Sequence, residues 1–145
     1  MAEEAPLDPE RPIIDPHLHL WAAGGAPFFA LEAAAMIADS GHRVTHTVFV
    51  ECNAMHRADG PPELRPIGET EFVAGQAAIS DSGKYGPTRL CHRIVGTADL
   101  CLGDGLAPVL EAHMAAAGGR FRGIRMSSAW RVADMFGFPS NPALQ

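Results

Sequence analysis

Residues 13–20 alternate apolar and polar positions, the pattern of a strand with one covered face. Gly24, Gly25 and Pro27 break it. Residues 29–40 are alanine-rich and favour helix, with Gly41 where a helix C-cap belongs. Residues 44–50 are β-branched and aromatic and predict a second strand. Residues 53–67 hold Gly60, Pro61, Pro62 and Pro66 and predict a long loop, a feature compact domains often use for function. Over 69–82, Phe72, Val73, Ala77 and Ile79 recur near helical spacing and Gly83 ends the run. A third strand is predicted over 94–100. A third helix follows over 106–117, with Asp104 as N-cap, Pro108 in the first turn and Gly118-Gly119 as the stop. Residues 121–126 predict a fourth strand. Residues 1–12, acidic and proline-rich, read as a flexible leader.

The order β-α-β-α-β-α-β predicts an α/β fold with parallel strands and right-handed crossovers. The 145 residues suit one ordinary domain, and 47% hydrophobic against 19% charged residues can build a core. The net charge of −6, with no basic cluster, argues against nucleic acid or an anionic membrane as a partner. No run approaches ~18 uninterrupted apolar residues, so no membrane span is expected. Cys52, Cys91 and Cys101 are odd in number and lack CxxC spacing, which fits reduced thiols in a cytoplasmic protein.

The segment Ile13-Ile14-Asp15-Pro16-His17-Leu18-His19-Leu20-Trp21 carries the strongest chemistry. In a strand, residues two apart share a face, so Asp15, His17 and His19 project one way and Ile14, Leu18 and Leu20 the other. Two imidazoles about 7 Å apart on a rigid strand can converge on one metal ion. Each predicted strand also ends on an ionisable group: His17 and His19, Glu51, Asp99 and Arg125. Chemistry in (β/α)8 barrels sits at those strand ends. His56 and Arg57 lie in the long loop, where His56 can meet substrate. His46 and His92 read as structural, and His42 and His113 as solvent-facing. The cysteines read as buried small hydrophobes. There is no GxGxxG and no P-loop to support a nucleotide site.

These residues together resemble the amidohydrolase-related family of metal-dependent hydrolases, in its lactonase-like branch. The matching stretches are Ile14-Asp15-Pro16-His17-Leu18-His19-Leu20-Trp21, residues 48–51, Gly68-Glu69-Thr70-Glu71-Phe72-Val73, Ile94-Val95-Gly96 with Ala98-Asp99-Leu100, and Phe121-Arg122-Gly123-Ile124-Arg125. They run from about residue 12 to 131. The resemblance implies a TIM barrel and a divalent metal, Zn or Mn, on His17 and His19. It implies hydrolysis of a cyclic ester or amide by metal-activated water. Glu51, Asp99 and Arg125 become the catalytic candidates, and Arg125 suits a carboxylate on a small carbonyl substrate.

Two departures accompany the resemblance. Met126 follows Arg125 where the family often has histidine. The predicted strands begin near 13, 44, 94 and 121, about 36 residues apart, so eight units would need about 290 residues, against the usual barrel size of roughly 250. The expectation is therefore a partial (β/α)8 TIM barrel of about four βα units over 13–145. It would lack the later-strand aspartate and histidines, be inactive alone, and be open to self-association through its exposed strand edges. Other readings are two copies pairing into a full barrel, a non-catalytic binding protein, or a decarboxylase of the same superfamily.

Overall fold

The computed structural model of the chain describes residues 5–22 and 25–127. Its elements are β1 (Ile13–Leu18), α1 (Ala30–Asp39), β2 (Val44–Val50), α2 (Ile67–Asp81), β3 (Arg89–Gly96), α3 (Leu106–Ala116) and β4 (Phe121–Ile124). Short 3-10 turns lie at Pro62–Leu64 and Leu100–Gly105. The four strands form one parallel sheet in the order β1-β2-β3-β4. Parallel neighbours cannot be joined by a hairpin, and here a helix lies in each connection. The fold is α/β.

The helices form a continuous layer, α1 against α2 and α2 against α3. Beneath them Leu18, Leu20, Phe49 and Ile94 pack with Ala30, Ala33, Val73 and Ala77. A second cluster of Ile67, Ala98 and Val109 takes in Leu106 and Ile124. Strand β2 shows the consequence of alternation: Thr47 and Phe49 are fully buried towards the helices. Val48 and Val50, between and beyond them, belong to neither cluster. The end of α2 is tied to the start of β3 by Ser80, whose hydroxyl donates to the Thr88 carbonyl (2.9 Å) and accepts from the Leu90 amide (2.9 Å).

The second strand falls where its β-branched run predicts. Gly41 and Gly83 follow the caps of α1 and α2 with φ of 71° and 70°, the left-handed turn that glycine adopts without strain. Other boundaries move. The third strand is Arg89–Gly96 rather than 94–100. Its first half is held by polar anchors that an apolar pattern does not show. Thr47 Oγ1 accepts from the Cys91 amide (2.8 Å), and Thr88 Oγ1 donates to the Val44 carbonyl (2.7 Å). It ends early because Asp99 caps the next turn, accepting from the Cys101 amide (2.8 Å). The first strand ends at Leu18, with a register shift between Asp15 and Leu18 that spans Pro16, which has no N–H to give the ladder. Ile14 is 64% exposed and does not join Leu18 and Leu20 in the core, as the ladder also shifts between Ile13 and Ile14. The N-cap of α3 is Gly105, not Asp104, because the 3-10 turn runs straight into the helix. The fourth strand closes at Ile124, and the long loop contains the Pro62–Leu64 turn.

Residues 5–12 carry no helix or strand, and Arg43 donates to the Glu10 carbonyl there. The expected domain runs to 145, and its residues 128–145 lie outside the described residues. Among the described residues, no helix is long and apolar enough to cross a membrane.

His113 is fully buried rather than solvent-facing. It lies one helical turn after Val109, on the face α3 turns inward. The Thr97 carbonyl can only accept, so His113 Nε2 carries the proton (2.9 Å), and Nδ1 accepts from the Thr70 hydroxyl (2.8 Å). The ring stacks on Phe121, and a Cβ at Gly96 would sit 3.0 Å from it. Cys101 is likewise exposed, while Cys91 is buried and Cys52 half-buried.

Burial lowers the His113 pKa below 6.5, with the nearby His56 adding to the effect and the Thr97 carbonyl opposing it. The unfolded chain then takes up the proton more readily than the fold. The contribution to stability is complete above about pH 6.5 and is lost as pH falls towards the folded value. His56 and His92, also lowered, act in the same sense. Urea unfolding midpoints are expected to fall between pH 7.5 and 5.5, and His113→Gln to flatten that fall. An unchanged slope in the variant would refute the assignment.

Candidate functional site

Parallel strands send all their C-terminal ends to one rim of the sheet. His17 lies within β1 and His19 one residue past it. Glu51 follows β2 and Arg125 follows β4. Their amides continue the ladder, Glu51 to the Val95 carbonyl (2.8 Å) and Arg125 to the Gly96 carbonyl (2.9 Å).

The two imidazoles converge. His17 Nε2 and His19 Nε2 are 3.0 Å apart, with the rings edge to face. His19 Nδ1 lies 2.8 Å from the Val50 carbonyl. A carbonyl only accepts, so Nδ1 carries the proton and the neutral ring keeps its Nε2 lone pair for the space facing His17. Asp15 steadies the approach by accepting from the His17 amide (3.0 Å).

A second pair sits on the same rim, at the ends of β2 and β4. Arg125 Nε donates to Glu51 Oε1 (2.8 Å) and its Nη2 to the Glu51 carbonyl (2.8 Å). The Glu51 side chain is 8% exposed and that of Arg125 44%. One side of the guanidinium is therefore fixed, and the other can meet an anion with its remaining donors. Val50 and Glu51 thus hold both halves of the rim, one through its carbonyl and the other through carbonyl and carboxylate.

The remaining candidates are placed differently. The Asp99 carboxylate is engaged in capping the Leu100–Gly105 turn. His56 is exposed in the loop after β2. Loss of surrounding water lowers its pKa, and the nearby charge of Glu51 only partly opposes this. His46 and His92, T-stacked at 4.7 Å, lie at the His46↔Arg89 end of the β2–β3 ladder, away from the β-strand ends that carry the rim.

Residue patterns missed Glu69. It is 1% exposed in the first turn of α2, and its Oε1 accepts from the amides of Cys52 (3.1 Å) and Ala54 (2.7 Å). Burial and the charge of Glu51 raise its pKa, while the two amides lower it. Burial and Glu69 together push the Cys52 thiol up to about 11, which keeps it protonated and unsuited as a nucleophile near neutral pH. The sequence signal was its place in the Gly68–Val73 stretch, an acidic residue where a helix begins, with nothing to assign it a role.

Comparison of the chain with family models, with curated proteins and with solved structures returns no match.

The donors suit a divalent cation in kind. Two nitrogens on one tetrahedral zinc lie about 3.3 Å apart, from metal–nitrogen bonds of about 2.0–2.1 Å. Only a slight opening of the 3.0 Å pair is needed. The Val50 carbonyl behind His19 is the outer partner that a ligating histidine requires. Among the described residues, no group of three or more His, Cys, Asp or Glu side chains is gathered to hold a metal ion. His17 and His19 are thus two converging donors, and not a complete ligand set.

Proposed function

We propose that the chain carries the first part of the active site of a metal-dependent hydrolase of the amidohydrolase type. The reading includes a TIM-barrel architecture, of which these four parallel strands and the three helices between them form a part, and a lactonase-like activity. The substrate is a small cyclic ester or amide bearing a carboxylate. The observation that supports it most directly is the convergence of the His17 and His19 Nε2 atoms, with the His19 tautomer set by the Val50 carbonyl.

In this reading His17 and His19 hold zinc or manganese, which when bound polarises the carbonyl and makes water nucleophilic near neutral pH. Arg125 receives the substrate carboxylate on its open side. Glu51 fixes the plane of that guanidinium by two hydrogen bonds, so substrate is oriented without reordering the arginine. His56, in the loop above Glu51, contacts the substrate. Asp99 contributes through the shape of the β3 exit, its carboxylate being committed to a cap.

Calorimetric titration of Zn2+ into metal-free protein tests the reading. Saturable binding is expected, weakening as pH falls and the imidazoles take up protons. No binding heat at pH 7.5 would remove its main support.

A further inference from the structure

The buried carboxylate of Glu69 is not used by the chemistry proposed above, although it sits directly behind the rim. Its Oε1 bridges two backbone amides, those of Cys52 and Ala54. Between them Asn53 has φ of 60°, and Met55, two residues on, has φ of 53°. Left-handed non-glycine residues are uncommon and persist only where their surroundings hold them. Two N–H groups flanking a left-handed residue form a concavity that binds an anion, and here the anion is part of the same chain.

The first turn of α2 clamps the same loop at two more points. A Cβ at Gly68 would lie 2.5 Å from the Met55 carbonyl and 2.8 Å from the Arg57 amide, so loop and helix touch through bare backbone. Glu71 forms an ion pair with Arg57. The clamped segment, residues 51–57, begins with Glu51, which orients Arg125, and contains His56.

We infer that Glu69 is a positioning residue: as the internal anion of the backbone nest at Cys52–Ala54, it sets the exit of β2 and so holds Glu51 and His56 at the rim. The inference rests on the reading that this rim is the functional site. Its test needs no metal, so the two can fail separately. The carboxylate is costly to bury beside Glu51, and that burial gives the fold no reason of its own to keep a charge there.

The experiment compares the full chain with Glu69→Gln by amide hydrogen exchange and by NMR titration of the His56 ring. Gln keeps the accepting oxygen but not its charge, so two charge-assisted hydrogen bonds become weaker neutral ones, and exchange at Cys52 and Ala54 is expected to speed by about tenfold. Amides of Leu90 and Ile94 in the core are expected to keep their protection. Once released from the loop position, the His56 pKa is expected to rise towards 6.5. Unchanged exchange at Cys52 and Ala54, or a uniform rise across the core with His56 unmoved, overturns the proposal.

A second measurement covers a variant that does not fold. In the wild-type chain, protection at those two amides is expected to fall as the Glu69 carboxyl takes up its proton, at a pH above 4.5, because the neutral carboxyl accepts more weakly. The titrating groups facing it are Glu51 and the Cys52 thiol, and the thiol stays protonated throughout. Protection at the two amides that persists undiminished down to pH 4 overturns the proposal equally.

Discussion

Replacing His17 and His19 together by alanine is expected to weaken zinc binding by about a hundredfold or more, since removing a ligand costs at least as much as removing its hydrogen-bonded partner. The two rings supply the only converging imidazole nitrogens at the rim among the described residues, 3.0 Å apart. His17→Ala alone leaves a single imidazole, whose tautomer is still set by the Val50 carbonyl. That variant is expected to fall between the wild type and the double variant. The His46–His92 pair is the internal control, being two rings in contact with no hydrogen bond between their nitrogens. His46→Ala/His92→Ala is expected to leave affinity within about twofold of the wild type, since this half-buried pair lies at the other end of the β2–β3 ladder from the rim. Equal binding by the wild type and the His17/His19 variant would place the metal elsewhere and end the hydrolase reading. Calorimetry with metal analysis of dialysed protein measures both.

Phe49→Ala is expected to cost about 3–5 kcal/mol, the range for truncating a large buried aromatic and leaving a cavity. Phe49 is fully buried in the middle of the sheet, paired with Leu18 on one side and Ile94 on the other. The helices above it present alanines, Ala30, Ala33 and Ala77, which cannot reach down to fill the space. Since a domain of this size is stable by only about 5–15 kcal/mol, the variant is expected to be close to unfolding at 37 °C. Val48→Ala, one residue away on the opposite face, is expected to cost under about 1.5 kcal/mol, since Val48 joins neither core cluster. Urea unfolding of the two variants provides the comparison. Similar losses would mean that both faces of the sheet are equally covered.

Much of this arrangement is legible in the residue order, and the exceptions have a common cause. Strand β2 is readable because its β-branched run needs nothing beyond itself. The rim groups His17, His19, Glu51 and Arg125 are readable because strand ends in a βα series all point one way. Strand β3 is displaced because Thr47 and Thr88, rather than apolar residues, fix its beginning. His113 is misplaced because its burial depends on Thr70, forty-three residues away, and on a bare Gly96 beneath the ring. Glu69 escapes a residue-based search because its partners are backbone amides, which any residue but proline can supply. Asp99 shows the reverse error, as a carboxylate at a strand end can serve geometry rather than reaction.

The sheet's polarity also offers an experimental handle. The chain contains a single lysine, Lys84. It is exposed in the turn between α2 and β3, and so lies at the sheet margin opposite His17 and His19. Apart from the terminal amine, an amine-directed dye or surface linker has one place to react. The molecule would then be tethered by its back, with the His17–His19 edge facing free solution.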